Sequence, residues 1–200
     1  MTSPTVYVIG AGLAGLAAAV ALAARETRVE VIDAAPQAGG RCRSWFDTQI
    51  QDVIDNGNHL VLSGNRATFG YLKAIGAEGR LSGPDESRFA FCNVRSGARW
   101  SIAPNAGALP WWIFSRQRRV PGTRATDYVK FLRLLSRNPG RRVRDVIGCE
   151  GPAWDCLMRP LLLAALNTAP EDASAELASA VLRETLARGG RSCLPRIAAP

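Results

Sequence analysis

A glycine-rich turn near the start of the chain is the feature that most limits what this sequence can fold into. Gly10, Gly12 and Gly15 form the pattern G-x-G-x-x-G. The pattern follows an apolar, β-branched run at residues 6–9, which predicts a buried strand. It opens an alanine-rich run at residues 14–25, which predicts a helix. A strand, a glycine turn and a helix in this order are typical of α/β folds that hold a dinucleotide.

Each of the three glycines has its own physical role in that arrangement. Gly10 permits the tight turn, Gly12 lets a diphosphate approach the backbone, and Gly15 lets the helix pack closely on the strand. The first helical amides, which include those of Leu13 and Ala14, offer N–H groups to phosphate oxygens. We therefore predict that this turn binds the diphosphate of a nucleotide cofactor.

An acidic residue completes the nucleotide signature. A second apolar run at residues 29–33 predicts a parallel strand that ends in Asp33, 18 residues after Gly15. The Asp33 carboxylate, followed by Ala34, can accept hydrogen bonds from a ribose diol and would repel a 2′-phosphate. These residues alone leave NAD and FAD open as the cofactor.

A second pair of glycines separates the two cofactors. Gly39, Gly40 and Arg41 follow the second strand, and a flexible turn with a guanidinium can contact the far side of the same diphosphate. This part of the chain resembles the FAD-binding amine oxidase and carotenoid desaturase superfamily, which implies FAD as the cofactor. Asp33 stands where that superfamily usually has Glu, and Gln37 stands where many members have Arg.

Three longer stretches resemble a narrower family, the hydroxysqualene dehydroxylases of hopanoid synthesis. They read DNGNHLVLSGNRATFGYLKAIGA from Asp55, LPWWIFSRQRRVPGTRATDYVKFLRLL from Leu109, and RPLLLAALNTAPEDASAELASAVLRETLARGG from Arg159. The resemblance implies an FAD-dependent oxidoreductase that removes the hydroxyl of a C30 isoprenoid alcohol, hydroxysqualene, and yields squalene. The alternatives are a polyprenyl desaturase, an amine oxidase, or a non-catalytic remnant that binds nucleotide or membrane.

The resemblance also points to residues for the chemistry. The stretch DNGNH resembles the superfamily segment that passes near the isoalloxazine, where Gly57 would allow a close approach of the backbone. A departing hydroxyl needs an acid within reach, and Asp55 or His59 can protonate it. The structural alternative is that Asp55 and Asn56 make turn hydrogen bonds and that His59 is a structural histidine.

The cysteine and histidine content argues against a metal site and a disulfide framework. The chain has five cysteines without a C-x-x-C pair, and His59 is its one histidine. An odd cysteine count predicts reduced thiols and a cytoplasmic location. We expect no metal.

The charge of the chain favours anionic partners. Its net charge is +8, and the stretch PWWIF is followed by Arg116, Arg118 and Arg119. An aromatic patch beside cations suits an interface with acidic membrane lipid. Because these residues match no motif of RNA- or DNA-binding proteins, nucleic acid is not an expected partner.

The segment after this patch predicts a basic amphipathic helix at residues 127–137. With helical spacing, Tyr128, Phe131, Leu132 and Leu135 fall on one face, opposite basic side chains. Such a helix either covers a core or lies on a membrane surface. Our hypothesis is peripheral contact near the entrance for the apolar substrate.

Three further elements are predicted along the chain. Residues 65–75 indicate a helix capped by Asn65 and ended near Gly76. The runs RFAFCNV and RWSIA indicate a β-hairpin. TAPE, from Thr168, matches a capping box and predicts the start of a helix that ends near Gly189.

Together these elements predict an α/β fold with a Rossmann-type FAD-binding domain and an inserted α+β substrate domain. The predicted division assigns residues 1–80 to the FAD-binding portion and 81–200 to a partial substrate-binding domain. Members of the superfamily are much longer, so we expect this chain to be the N-terminal half, to lack the segment that completes the flavin site, and to be incomplete for turnover. The expected location is the cytoplasm, with peripheral contact on the inner face of the cytoplasmic membrane.

Overall fold

The computed structural model describes residues 4–57 and 60–198. They divide into two compact units. The first contains the described residues up to Leu60, then Arg66–Leu81 and the residues from Ile197 onward. The second contains Val61–Asn65 and Ser82–Arg196. The division near residue 80 that we expected for the complete domains stays a prediction.

The first unit begins with the predicted β-α-β arrangement. Strand β1 (Val6–Ile9) leads into helix α1 (Leu13–Ala23), and the chain returns through strand β2 (Val29–Ile32). The two strands pair in parallel, with Val6 opposite Val29 and Ile9 opposite Ile32. The parallel pairing confirms the prediction made from the apolar runs and the glycine turn.

The remainder of the first unit is a hairpin and a helix. Strands β3 (Ser44–Asp47) and β4 (Asp52–Asp55) pair antiparallel, with Ser44 opposite Asp55. Helix α2 (Arg66–Ala74) ends where predicted, because Gly76 adopts a φ of 69° that favours glycine. The Asn65 side chain accepts a hydrogen bond from the Leu62 amide (2.9 Å).

The strands from β5 onward form two further small sheets. Strands β5 (Val61–Leu62), β6 (Leu81–Ser82) and β9 (Pro195–Ala198) form a sheet in the order β5-β9-β6. The predicted hairpin is present as β7 (Phe89–Cys92) and β8 (Arg99–Ile102), which pair antiparallel.

Short helical segments make up most of the second unit. Its α-helices are α3 (Val143–Val146), α4 (Arg159–Leu166) and α5 (Ala175–Glu184), and a π-helical turn at Trp154–Met158 runs directly into α4. Segments of 3₁₀ helix, one of them in the first unit, occupy Glu78–Arg80, Trp111–Phe114, Ala125–Leu135, Leu186–Arg188 and Gly190–Ser192. Within the described residues, no helix is both long enough and apolar enough to cross a bilayer.

The hydrophobic core lies in the second unit, where Trp154, Leu134 and Leu162 are fully buried. In the first unit Ala11 is the only buried residue among those described. Its parallel sheet leaves large apolar side chains exposed, with Ile9 at 79% of full exposure. Parallel sheets are ordinarily covered on both faces, so this surface is unusual for the fold.

The expected α-helix at residues 127–137 is wrong in type. Ala125–Leu135 is a 3₁₀ segment, so the buried positions recur every three residues, at Tyr128, Phe131 and Leu134. Leu132, which we placed on the same face as Tyr128, is 58% exposed. A spacing of 3.6 residues per turn therefore placed Leu132 on the buried face, where the structure has Leu134.

The helix predicted to start at Thr168 begins six residues later. Ser174 caps α5 by accepting a hydrogen bond from the Leu177 amide (3.4 Å). Glu171, which would have completed the capping box, forms an ion pair with Arg159 instead (3.1 Å). Helix α4, which precedes this turn, was not among the predicted elements.

Candidate dinucleotide-binding site

The turn between β1 and α1 is held open by glycine backbone geometry. Gly10 has a φ of 100°, a conformation that side chains with a Cβ rarely adopt, and its amide donates to the Ile32 carbonyl (2.7 Å). Gly12 then caps α1 in an extended conformation and accepts the hydrogen bond of the Leu16 amide (2.9 Å). The turn is thus anchored to β2 on one side and opens the helix on the other.

Gly15 and Gly12 meet different surroundings. A Cβ at position 15 would overlap the Gly10 carbonyl oxygen, so the close approach of α1 to the turn requires glycine there. A Cβ at position 12 would meet nothing within 4 Å. The space beside Gly12 is therefore open to a ligand, as a diphosphate site requires.

The N-terminus of α1 can bind an anion. Gly12 provides no side-chain cap, and the first turn carries no acidic residue. The amides of Leu13, Ala14 and Gly15 belong to the first turn, whose N–H groups an α-helix leaves without intrahelical partners. Together with the partial positive charge of the helix end, they form a place for phosphate oxygens.

The Asp33 carboxylate lies beside the same turn. The amides of Ala11 and Ala35 donate to its two oxygens, at 2.6 Å and 2.7 Å. The hydrogen bonds from Ala35 and Ala11 hold the pKa of Asp33 below its ordinary value of 3.8, so the side chain is a carboxylate at neutral pH. Each oxygen keeps a lone pair, and the side chain is exposed, so a ribose diol can still donate to it.

The second glycine pair packs directly against the first turn. The Gly39 amide donates to the Ala11 carbonyl (2.8 Å), and Gly39 and Gly12 form a parallel bridge. A Cβ on Gly40 would lie 3.1 Å from the Gly12 Cα. The two glycine motifs, 27 residues apart between Gly12 and Gly39, therefore form one surface.

Asn56 fixes the segment that carries Arg41. Its side-chain amide donates to the Arg41 carbonyl (3.1 Å), and its backbone amide donates to the Arg43 carbonyl (2.9 Å). The Arg41 side chain is exposed and makes no ion pair with the rest of the described chain. From the sequence we expected only turn hydrogen bonds at Asn56, because the sequence does not reveal which carbonyls this side chain reaches.

Of the two residues proposed for proton transfer, Asp55 and His59, the structure describes Asp55. Asp55 ends β4, and its carboxylate accepts a hydrogen bond from the Ser44 hydroxyl on the paired strand. Asp55 therefore lies next to the segment that Asn56 fixes. Gly57 is exposed at the turn that follows. His59 lies outside the described residues.

Two backbone groups of the site were not predicted. The Ala11 and Ala35 amides bind the carboxylate of Asp33, and backbone amides carry no signal in the sequence. In the described ranges, no group of three His, Cys, Asp or Glu residues could hold a metal ion.

Comparison with known proteins matches this chain to a family. A family model described as "Flavin containing amine oxidoreductase" matches residues 13–199. The chain is 50% identical over 196 residues to a hydroxysqualene dehydroxylase of Rhodopseudomonas palustris, covering 98% of this chain and 47% of that protein. A hydroxysqualene dehydroxylase of Sinorhizobium fredii is 48% identical over 193 residues, with 96% and 46% covered. The chain thus spans about half the length of these curated relatives.

The fold is also found among solved structures. A redesigned putrescine oxidase superposes with a TM-score of 0.60 and 19% sequence identity, over 96% of this chain and 46% of that one. A second redesigned variant gives 0.53 and 23%, with 90% and 42% covered. At these identities the likeness establishes the fold.

Proposed function

Because the chain belongs to the flavin containing amine oxidoreductases, we propose FAD as its cofactor and the reductive removal of a hydroxyl from hydroxysqualene, giving squalene, as its reaction. The observation that carries the reaction is the 50% identity, along 98% of the chain, with a protein named hydroxysqualene dehydroxylase. The observation that carries the cofactor is the glycine turn with its adjacent carboxylate.

The residues of the first unit fit the adenosine diphosphate part of FAD. The amides of Leu13, Ala14 and Gly15 bind the diphosphate over the open space at Gly12. Asp33 and the adjoining Ala34 backbone hold the ribose, and the charge of Asp33 disfavours a 2′-phosphate. Arg41, which follows the Gly39–Gly40 turn packed against Gly12, adds the donors of its guanidinium.

When bound, reduced FAD supplies a hydride to the carbon that loses its hydroxyl. In the balanced reaction a C–H bond forms, the C–O bond breaks, and the hydroxyl leaves as water after taking a proton. Asp55 and His59 are the proposed sources of that proton. The protein excludes water from the reacting carbon, because water would return the alcohol.

The proposed substrate places the protein at a membrane. An isoprenoid alcohol of this size partitions into bilayers, so we propose that the protein works in the cytoplasm against the inner face of the membrane and contacts acidic lipid there. The net charge of +8 supports attraction to such a surface.

The test uses the protein encoded by the complete reading frame. It is incubated without oxygen with reduced FAD and hydroxysqualene, and the products are separated by gas chromatography. We expect squalene in amounts equal to the FAD oxidised. A parallel incubation of squalene with oxidised FAD tests the opposite direction of electron flow, which is desaturation of the isoprenoid. If squalene is desaturated there and hydroxysqualene is left unchanged, the proposed reaction is wrong and a desaturase takes its place.

A further inference from the structure

An open cavity in the second unit is lined mainly by apolar side chains. Its volume is about 210 Å³, and no charged side chain contributes to its wall. Two 3₁₀ segments contribute to its wall, the first through Ile113 and the second through Val129 and Leu132. A cavity with this lining is suited to hydrocarbon and not to a polar ligand.

Exposed apolar side chains lie on or next to the same two segments, and two of them, Val129 and Leu132, also line the cavity. We call Leu109, Trp111, Phe114, Val129 and Leu132 the apolar mouth. Each is more than half exposed, with Trp111 at 65% and Phe114 at 64%. The rings of Trp111 and Phe114 contact each other, with centroids 6.1 Å apart. Exposed apolar side chains next to an apolar cavity mark an interaction surface.

The first segment of the apolar mouth is held in place by one side chain. The Asn105 side-chain amide donates to the carbonyls of Gly107 (3.0 Å) and Leu109 (2.9 Å). Its oxygen accepts from the Trp112 amide (3.1 Å). Trp111 therefore lies on an ordered turn. Because this turn is already ordered, burying the Trp111 side chain in a binding partner costs little conformational entropy.

The stretch of sequence that carries the apolar mouth is strongly basic. Between residues 105 and 144 the sequence contains ten basic residues and one acidic residue, Asp127. Arg116 is exposed two residues after Phe114, and Arg119 donates to the carbonyl of Ile113, the residue before Phe114 (2.7 Å). Cations around an exposed aromatic cluster complement the phosphates of an anionic membrane.

We infer that the apolar mouth is the surface that enters an anionic bilayer, with Trp111 and Phe114 below the headgroups and Arg116 at the lipid phosphates. The inference rests on the membrane contact in the proposed function and assigns that contact to residues. In this arrangement the apolar cavity would be accessible from the hydrocarbon core of the bilayer. A second copy of the chain is a poorer occupant, because it brings the same basic charge to the interface.

The test measures partitioning of the chain onto vesicles by flotation. One set of vesicles contains equal parts of phosphatidylcholine and phosphatidylglycerol, and the other contains phosphatidylcholine alone. We expect binding to the first set, weakened by added salt, and much weaker binding to the second. The double variant Trp111→Ser, Phe114→Ser should bind at least about tenfold more weakly, because it removes the inserted apolar area.

Two variants serve as matched comparisons. Trp45→Ser removes an exposed tryptophan from the first unit and should bind like the unaltered chain. Arg116→Ser should lower the affinity for acidic vesicles about fivefold and leave binding to phosphatidylcholine unchanged. Thermal unfolding of every variant verifies that the second unit is intact, since the replaced side chains lie outside its core.

Three results would overturn the inference. They are an unaltered chain that does not float with acidic vesicles, a double variant that binds as well as the unaltered chain, and a dimer in sedimentation that the double variant dissociates. The last result would mean that a second copy covers the apolar mouth. FAD titrations on the same preparations keep the two proposals separate, because flavin binding can fail while vesicle binding persists, and the reverse.

Discussion

Single glycines do different work in the nucleotide turn, and substitution separates their roles. Gly15→Ala places a Cβ on the Gly10 carbonyl oxygen, so we expect the free energy of unfolding of the first unit to fall by about 1–3 kcal/mol. Gly12→Ser meets open space and supplies a favoured helix cap, so stability should hold or rise. Its FAD affinity should nevertheless fall at least about tenfold, since the new side chain fills the diphosphate position.

Denaturant unfolding and flavin titration of both variants measure these effects. The discriminating result is Gly12→Ser, which is predicted to be stable and impaired in binding. Undiminished FAD affinity in that variant would mean that the cofactor does not approach position 12.

The charge of Asp33 predicts how cofactor affinity depends on pH. The Ala35 and Ala11 amides lower the pKa of Asp33 below its ordinary value of 3.8. The side chain therefore stays ionised down to pH 3.8 and loses its charge only as the pH falls through the lowered pKa of the folded chain. Its contribution to FAD affinity should therefore be constant from neutral pH down to about pH 3.8. Asp33→Asn should weaken FAD binding about tenfold over that whole range, as measured by calorimetry. A loss of affinity centred near neutral pH in the unaltered chain would assign the ribose contact to another group.

Asp55 is tested against an acid on the same strand. In the protein from the complete reading frame, Asp55→Asn should lower turnover of hydroxysqualene about a hundredfold with unchanged FAD affinity, because it removes the proposed proton donor. Asp52→Asn, at the other end of β4, should turn over normally. His59→Gln, measured alongside, decides which of the two candidates supplies the proton. If Asp55→Asn instead weakens FAD binding, its bond to Ser44 positions the cofactor segment and Asp55 is not the acid.

Among the elements, the 3₁₀ segment at Ala125–Leu135 gives the sharpest mutational contrast. Leu134 is completely buried, whereas Leu132 is 58% exposed. Leu134→Ala should lower the free energy of unfolding by about 2–5 kcal/mol. Leu132→Ala should change it by no more than about 0.5 kcal/mol. Equal losses in thermal or denaturant unfolding would contradict the three-residue repeat and restore the α-helical face that the sequence suggested.

The elements that could be predicted from the sequence are those with local signals. The β-branched run, the glycine turn and the alanine-rich helix specify β1, α1 and β2 without help from the rest of the chain. Segments that depend on tertiary packing were missed or misplaced. Thr168 offers a plausible cap, but Glu171 is engaged by Arg159, and the helix starts after Ser174 instead.

The same distinction applies to the candidate site. Gly10, Gly12, Gly15 and Asp33 could be named from spacing, because their residue types are required by the chemistry of a diphosphate and a ribose. The sequence could not identify the amides of Ala11 and Ala35 as donors to Asp33. It also could not reveal the hydrogen bond from Asn56 to the Arg41 carbonyl. Backbone groups have no residue signature, and a side chain's reach to a distant carbonyl depends on the folded path.

The chain as a whole combines an exposed nucleotide unit with a well-packed second unit. The core is in the second unit, and the parallel sheet of the first presents apolar side chains to solvent. The nucleotide site is nevertheless built within the first unit alone, from the turn after β1, the carboxylate after β2 and the Gly39–Gly40 turn. Diphosphate and ribose binding should therefore be measurable with this chain.

The most direct measurement follows the backbone amide resonances of the isotope-labelled chain while FAD is added. We predict that the largest shifts occur at residues 11–15, 33–35 and 39–41, and that all of them saturate with one dissociation constant. If FAD leaves these resonances in place, or shifts only amides of the second unit, then the glycine turn does not bind the cofactor and the proposed flavin function of this chain is wrong.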